Sequence, residues 1–310
     1  MAQYTKLSFT QAALLLQQEY GISTIKALKV LSGGSENTNY IVETAYQKYV
    51  LTICEQKSVE SANQLANLLV HLNANGFPTS QVIPTVNKQL ISSFQNKPVL
   101  LKSYLPGTIQ KELSPSLLHL VGKQLALLHL LSIPDELPTS VAFGLEHFEL
   151  VQQYADGSDF HHWLVSMGDY IRPHLTDNLP KALIHSDLFF NNIIVHPDEQ
   201  QVTIMDFEEA CLFYRVFDIG MTIVGTCCDS SKLDLHKTAH LLRGYEQVTP
   251  LLTIEKKALP AHTVYAATAT AFWRHKNFNY VHVVPEKQHH YLEMKLLADN
   301  IKKSNTKNWI

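Results

Sequence analysis

The chain has 310 residues, 45% of them hydrophobic, and 25 Lys plus Arg against 28 Asp plus Glu, for a net charge of −3. That length and apolar content support one large core or two modest ones. The near-neutral balance gives no electrostatic basis for nucleic acid or an anionic membrane as partner. Cys54, Cys211, Cys227 and Cys228 form no CxxC pair, which argues against a zinc site and for reduced thiols in a cytoplasmic protein. The N-terminus lacks the basic-then-apolar pattern of a signal peptide, and no run approaches the ~20 apolar residues that span a bilayer, so a soluble protein is expected.

In chain order, residues 8–20 read as a helix. Ser8 caps it, Gln11 completes a capping box, Ala13, Leu14, Leu15 and Leu16 give it an apolar face, and Gly21 stops it. Residues 28–31 precede the turn Ser32-Gly33-Gly34-Ser35, and 39–43 and 48–53 read as the two strands of a hairpin. Leu65, Leu68, Leu69 and Leu72 recur at helical spacing within 59–75, with Gly76 and Pro78 as the stop. Strand-like runs near 89–94 and 97–103 complete a small β-rich unit over 1–103.

Tyr104-Leu105-Pro106-Gly107 breaks the pattern, and beyond it the chain reads as mostly helical. Ser114 and Pro115 start a helix with the stripe Leu117, Leu118, Val121, Leu125 and Leu128. Further helices are expected over 148–170, 232–248 and 256–275. The exception is 182–207, where 182–185, 192–195 and 202–207 read as short strands between loops carrying Asp, Asn and Phe. There is no internal repeat and no low-complexity tract.

That exception carries the chemistry. His185-x-Asp187-x4-Asn192 is followed fourteen residues later by Asp206-Phe207 at the end of an apolar strand. Phosphoryl transfer from ATP accounts for the pattern. The triphosphate needs Mg²⁺, and Mg²⁺ takes hard oxygen ligands in octahedral geometry. Asn192 and Asp206 supply an amide oxygen and a carboxylate for the metal. Asp187 supplies a second carboxylate to align the acceptor hydroxyl and accept its proton. His185 is suited to bracing the loop by hydrogen bonding.

The order strand, His/Asp/Asn loop, strand ending in Asp resembles the catalytic-loop and metal-binding signatures of protein-kinase-like enzymes. With Ser186 where protein kinases carry Arg, the chain resembles the aminoglycoside phosphotransferase and choline kinase superfamily over nearly its whole length. Within it, Ser35-Glu36-Asn37-Thr38-Asn39-Tyr40, Tyr49-Val50-Leu51-Thr52, His185-Ser186-Asp187-Leu188-Phe189 and Ala271-Phe272-Trp273 are similar to the type II homoserine kinase branch. The resemblance implies an α+β, bilobal protein-kinase-like fold. Its small β-rich N-lobe (1–103) binds nucleotide, a hinge (104–108) meets the adenine, and a larger helical C-lobe (109–310) carries catalysis and the acceptor. It implies ATP and Mg²⁺ as cofactors, with Asp187 as base, Asn192 and Asp206 as metal ligands, and Asp218 as a stabiliser of the C-lobe.

The chain departs from the kinase pattern in the N-lobe. Thr52 occupies the expected Lys position, and Asn67 is where a partner Glu is expected, with Glu60 one or two turns earlier. Lys48, Lys57 or Lys102 are the substitutes, with Lys102 best placed just before the hinge. The expected nucleotide contacts are Ser32, Gly33, Gly34, Ser35, Asn37, Lys102, Tyr104 and Leu105, the turn amides and side chains serving phosphate. The expected acceptor is a small hydroxylated amino acid or amino alcohol, with L-homoserine first and choline, hydroxylysine, an aminoglycoside or another amino alcohol or sugar as alternatives. Glu208 or Glu209 would hold an ammonium and Arg274, beside Trp273, a carboxylate. A choline-type cation would instead need a cage from Tyr154, Trp163, Trp273 and Tyr280. A catalytically weak nucleotide-binding protein of the same fold is the remaining reading. The chain is expected as a monomer or homodimer.

Overall fold

The computed structural model describes residues 5–31 and 37–304. They divide into two compact units: one holds the chain through Pro106 together with Pro134–Glu136, the other Gly107–Ile133 and the chain from Leu137 onward.

The first unit opens with helix α1 (Phe9–Tyr20). Its capping box is complete, with the Gln11 N–H donating to Ser8 Oγ at 3.2 Å and the Ser8 N–H donating to Gln11 Oε1 at 2.9 Å. Gly21, at φ 68°, ends the helix in the left-handed conformation that glycine adopts without strain. An antiparallel five-stranded sheet follows, ordered β1-β2-β3-β5-β4 from β1 (Ala27–Val30), β2 (Asn37–Glu43), β3 (Lys48–Cys54), β4 (Ser92–Phe94) and β5 (Lys97–Ser103). The register sorts its side chains. Tyr40, Leu51 and Leu101 stand abreast, as do Thr38, Ile53 and Val99, and the apolar members of both rows join Ala12, Leu15, Leu16 and Tyr20 of α1 in one core. Burying each such large side chain contributes about 1.5–3 kcal/mol. The alternate rows, Asn39–Thr52–Leu100 and Ile41–Val50–Lys102, therefore face the opposite side. Helix α2 (Val59–Ala74) packs against β5 and buries Ala62, Leu65, Ala66, Leu68, Leu69 and Leu72, none of which belongs to the α1 core.

The second unit holds α3 (Pro115–His129), α4 (Gln152–Ala155), α5 (Asp159–Ile171), α6 (Arg215–Thr226), α7 (Leu235–Glu246), α8 (Thr253–Lys276) and α9 (Tyr291–Lys303). Three two-stranded ladders are set among them: β6 (Lys181–Ile184) with β9 (Cys211–Tyr214), β7 (Ile193–Val195) with β8 (Val202–Ile204), and β10 (Cys228–Asp229) with β11 (Lys232–Leu233). Helices α6 and α8 run side by side. Arg215 and Glu255 join their first turns through two 2.6 Å bonds, and further along Thr270 Oγ1 donates to Met221 Sδ at 3.7 Å.

Several expected elements come out differently. The helix expected over 148–170 is broken: a 3-10 turn (Leu145–Val151) and α4 end at Asp156 and Gly157, and α5 restarts from a Ser158 cap whose Oγ accepts the His161 N–H at 3.1 Å. The start of 232–248 belongs to β11, because Asp234 caps α7 by accepting the Lys237 N–H at 3.0 Å. Only Ser92–Phe94 of 89–94 is strand, and β8 stops at Ile204 rather than 207.

Candidate active site

The loop after β6 is pinned from below by one carboxylate. Asp218, in the first turn of α6, is fully buried, and its oxygens accept the N–H groups of His185 and Ser186, each at 2.8 Å. His129 from α3 donates its Nε2–H to the same carboxylate at 3.0 Å, and its Nδ1 bonds the Tyr245 hydroxyl of α7 at 2.9 Å. Ser186 sits at φ 64°, a conformation that costs a non-glycine residue on the order of 1–3 kcal/mol. Its N–H bond to Asp218 and its Oγ–H bond to the Glu209 carbonyl at 2.5 Å hold it there. The His185 ring reaches across to the residue after β8, donating Nε2–H to the Met205 carbonyl at 2.9 Å, while Nδ1 accepts the Asp187 N–H at 3.3 Å. Bonds to Asp218, Met205 and Glu209 thus fix the backbone on which Asp187 rides.

Register brings the other two residues to that place. Ile193 pairs with Ile204, and the Met205 N–H donates to the Asn192 carbonyl at 3.0 Å, which extends the ladder by one pair. Asp206 therefore follows the residue facing Asn192, and facing Cα atoms in such a ladder lie about 5 Å apart. Asn192 is buried, and its Nδ2–H donates to the Asp187 carbonyl at 2.8 Å and lies 3.5 Å from Asp187 Oδ2. Asp187, Asn192 and Asp206 accordingly converge at one end of the β7–β8 hairpin. Asp206 adopts φ 69° and is exposed while Phe207 beside it is buried, so the carboxylate is turned outward.

The donor set fits a hard divalent cation. Asn192 Nδ2 is committed to Asp187, which leaves Oδ1 as the ligand atom. Oδ1 accepts a 3.3 Å bond from Asn191 and keeps a second lone pair. With the Asp206 carboxylate the chain would offer such a cation two oxygen ligands.

In the first unit, Ser32, Gly33, Gly34 and Ser35 lie outside the described residues. Asn37 Oδ1 accepts the Glu55 N–H at 3.4 Å. Thr52 is buried, and its Oγ1–H donates to Asn39 Oδ1 at 2.7 Å. Lys102 shares the face of Thr52, one row along. Tyr104 donates its N–H to the Lys48 carbonyl at 3.3 Å with the Lys48 ammonium 5.7 Å from its ring centre, and Leu105 is half-buried. Asn67 and Glu60 do not stand opposite Thr52: both lie on the exposed side of α2, because the leucine stripe takes the inner side. The sequence gives no sign of one ion pair in this unit, between Lys97 and Glu55. Lys97 Nζ bonds Glu55, whose carboxylate also accepts from Thr38 Oγ1 at 2.6 Å and Thr5 Oγ1 at 3.0 Å. Burial pushes the Glu55 carboxyl up, but the bonds from Lys97, Thr38 and Thr5 outweigh it and hold the group below its ordinary range. Thr38 and Lys97 point to the α1 side of the sheet, so this pair does not stand in for a lysine at Thr52.

For the acceptor, Glu208 and Glu209 are half-buried just after Asp206, and the Glu209 carbonyl serves Ser186. Trp273 is half-buried with its ring 5.5 Å from Phe278, and Arg274 bonds Glu293 at 2.9 Å. The expected aromatic cage is not open. His275 fills the cluster, stacked on Phe160 at 3.8 Å and 5.5 Å from Tyr280, with Tyr154 at 5.9 Å. Trp163 lies against Phe160 with Lys295 over its own ring, and Trp273 turns away to Phe278. Neither His129 nor Glu293 carries a local sequence signal, since each is joined to its partner only by the fold.

Among the described residues no helix is long and apolar enough to cross a membrane. A homoserine kinase of Polaromonas naphthalenivorans (strain CJ2) is 29% identical over 290 residues, 88% of either chain. Among solved structures, a microcompartment-associated aminopropanol kinase superposes with a TM-score of 0.75 at 16% identity, covering 97% of this chain and 99% of that one. An amicoumacin kinase solved in complex with AMP-PNP, Ca²⁺ and Ami superposes with a TM-score of 0.74 at 15% identity, covering 97% and 96%. The fold is the one these kinases share. The sequence pattern of the phosphotransferase enzyme family matches residues 27–251, and the chain belongs to that family.

Proposed function

We propose that this chain is an ATP- and Mg²⁺-dependent kinase that phosphorylates the hydroxyl of a small amino acid, with L-homoserine the best-supported acceptor. The observation that carries the reading is the convergence of Asp187, Asn192 and Asp206 in a chain whose similar curated relatives, aligned over 84–92% of it, carry the name homoserine kinase. Asp187 accepts a hydrogen bond from the acceptor hydroxyl, orients it and takes its proton. Asn192 Oδ1 and the Asp206 carboxylate hold the metal, which when bound neutralises charge on the transferring phosphoryl group. Asp218 and His185 keep the loop in register.

In this reading residues 1–103 bind nucleotide, 104–108 act as the hinge and 109–310 carry the chemistry. Ser32, Gly33, Gly34, Ser35, Asn37 and Lys102 serve the phosphates, and Tyr104 and Leu105 the adenine. Glu208, Glu209, Trp273 and Arg274 line the acceptor side. The protein works in the cytoplasm as a monomer or homodimer. The filled centre of the aromatic cluster disfavours choline, which needs an open cage.

The test is ADP release with Mg-ATP over a panel of L-homoserine, choline, hydroxylysine and an aminoglycoside. Stimulation by L-homoserine above the rest is expected. Stimulation by another member replaces the acceptor, and silence with measurable ATP binding would identify a nucleotide-binding protein without turnover.

A further inference from the structure

Two arginine–glutamate pairs in the second unit use the guanidinium differently. Arg215 meets Glu255 two-pronged, Nε to Oε1 and Nη2 to Oε2, both at 2.6 Å, with the Glu255 side chain at 0% exposure. That two-pronged form, with the carboxylate fully buried, suits a purely structural pair. Arg274 meets Glu293 through one nitrogen: Nη1 donates to Glu293 Oε2 at 2.9 Å and to the His290 carbonyl at 3.3 Å. Among the described residues, Arg274 Nε and Nη2 and Glu293 Oε1 have no protein partner, and none of the three is sealed from solvent. The side chains are 14% and 36% exposed, so the arginine is largely desolvated while one edge of its donor fork is left open.

The helix that carries Arg274 packs against α6, and α6 in turn backs onto the catalytic loop. Thr270 of α8 touches Met221 of α6. Arg274 is one turn past Thr270 on α8, and Gly225 one turn past Met221 on α6. Gly225 backs directly onto the two residues after Asp187: a Cβ there would lie 2.4 Å from the Leu188 carbonyl oxygen and 2.6 Å from Phe189 Cα. Cys228, just past the end of α6, lies within electrostatic reach of Glu293. Burial, then Cys227 and the Glu293 charge, push its thiol up.

We propose that Arg274 and Glu293 together recognise the zwitterionic head of an amino-acid acceptor, the carboxylate taking the open Nε/Nη2 edge of Arg274 and the ammonium taking the Glu293 carboxylate. This rests on the kinase reading above and narrows its acceptor to molecules carrying both charges. Each charged group keeps an opposite partner in either state, which avoids the cost of an unpaired charge in a half-buried site. Acceptors lacking one charge engage half of the clasp.

The experiment compares kcat/KM for L-homoserine, 3-amino-1-propanol (no carboxylate) and 4-hydroxybutyrate (no ammonium) in the wild type, Arg274→Gln, Glu293→Gln and the exchanged double variant Arg274→Glu with Glu293→Arg. The wild type is expected to prefer L-homoserine over both analogues. Arg274→Gln should cut its preference over 3-amino-1-propanol at least ten-fold, and Glu293→Gln its preference over 4-hydroxybutyrate by a similar factor. The exchanged variant restores an ion pair, so its melting temperature should return towards wild type while its preference for L-homoserine does not. Preferences unchanged in the single variants, or restored by the exchange, would make the pair structural and overturn the proposal. So would a wild type that favours 3-amino-1-propanol, an outcome that leaves the kinase reading intact. If no acceptor is turned over, the kinase reading fails, and the clasp is judged by thermal shift with L-homoserine alone. A saturable rise in wild type that both single variants lose supports it, and its absence in wild type refutes it.

Discussion

Replacing Asp218 with Asn tests whether one buried carboxylate sets the catalytic geometry. The native group accepts from three donors at once, the N–H groups of His185 and Ser186 and the His129 ring. An asparagine keeps one acceptor oxygen and turns an NH₂ toward a backbone N–H, so at least one donor is stranded and the charge assistance is lost. A stranded buried donor costs about 1–3 kcal/mol and a charge-assisted bond is worth about 1.5–3 kcal/mol, which together suggest a loss of about 2–4 kcal/mol. For a unit of about 200 residues this corresponds to a fall in Tm on the order of 10 °C. The strained Ser186 conformation loses one of its two restraints, so Asp187 should shift, and a displacement near 1 Å costs up to about 100-fold in rate. Calorimetry and a coupled ADP assay on the same preparation read both effects. We expect kcat to fall about 10- to 100-fold while the KM for ATP changes far less. A variant that melts as the wild type does and turns over at the same rate would refute the account of Asp218 as the anchor.

Asp187→Ala should lower kcat by at least about 100-fold while ATP binding, followed by titration calorimetry, is retained. Asp206→Ala should lose Mg-ATP affinity as well. His262 is buried with Nδ1 unpartnered, and burial lowers its pKa from 6.5 to about 4. A depressed histidine binds fewer protons when folded, so its stabilisation is complete above pH 6.5 and is lost as pH falls toward 4. The loss is about 3 kcal/mol at about 1.4 kcal/mol per pH unit, and His262→Leu should flatten urea-unfolding stability by about one proton over that window. Gly225→Ala places a methyl 2.4 Å from the Leu188 carbonyl oxygen, where only backbone can give way, and should lower kcat along with Tm. Glu255→Gln leaves Arg215 poorly paired and should destabilise by about 3–5 kcal/mol in denaturant unfolding, with little change in KM for either substrate in the fraction that remains folded.

What could be read from the sequence was what local chemistry decides. The Ser8/Gln11 box, the Gly21 stop, the Ser114-Pro115 start and the span of β5 all follow from residues within a few positions of one another. The strand–loop–strand order around Asp187 was legible for the same reason, and the hairpin register then brings Asn192 and Asp206 together. Helix α6 escaped because its sequence is poor in helix formers: Val216, Ile219, Thr222, Ile223, Val224 and Thr226 are β-branched, and Gly220 and Gly225 lower the local propensity further. Helix α9 and the β10–β11 ladder gave no recognised signal. The break at Asp156-Gly157 went unread because apolar residues on both sides keep helical spacing. Partnerships such as His129 with Asp218, Lys97 with Glu55 and Glu293 with Arg274 link residues far apart in the chain and exist only in the folded state. Asn67 was misplaced because spacing along α2 was used without first asking which side its leucines claim.

Helix α1 has a practical consequence. Because its side chains share one interior with the sheet, residues 9–20 cannot be trimmed as dispensable. A truncated version beginning at Ile22 would lay bare an oily band of Tyr40, Leu51, Ile53, Val99 and Leu101 on a sheet whose β1 and β4 edges are unpaired within it. Such a surface invites strand-to-strand polymerisation, so the shortened protein should precipitate during expression. A synthetic peptide spanning α1, supplied during refolding, should keep it in solution.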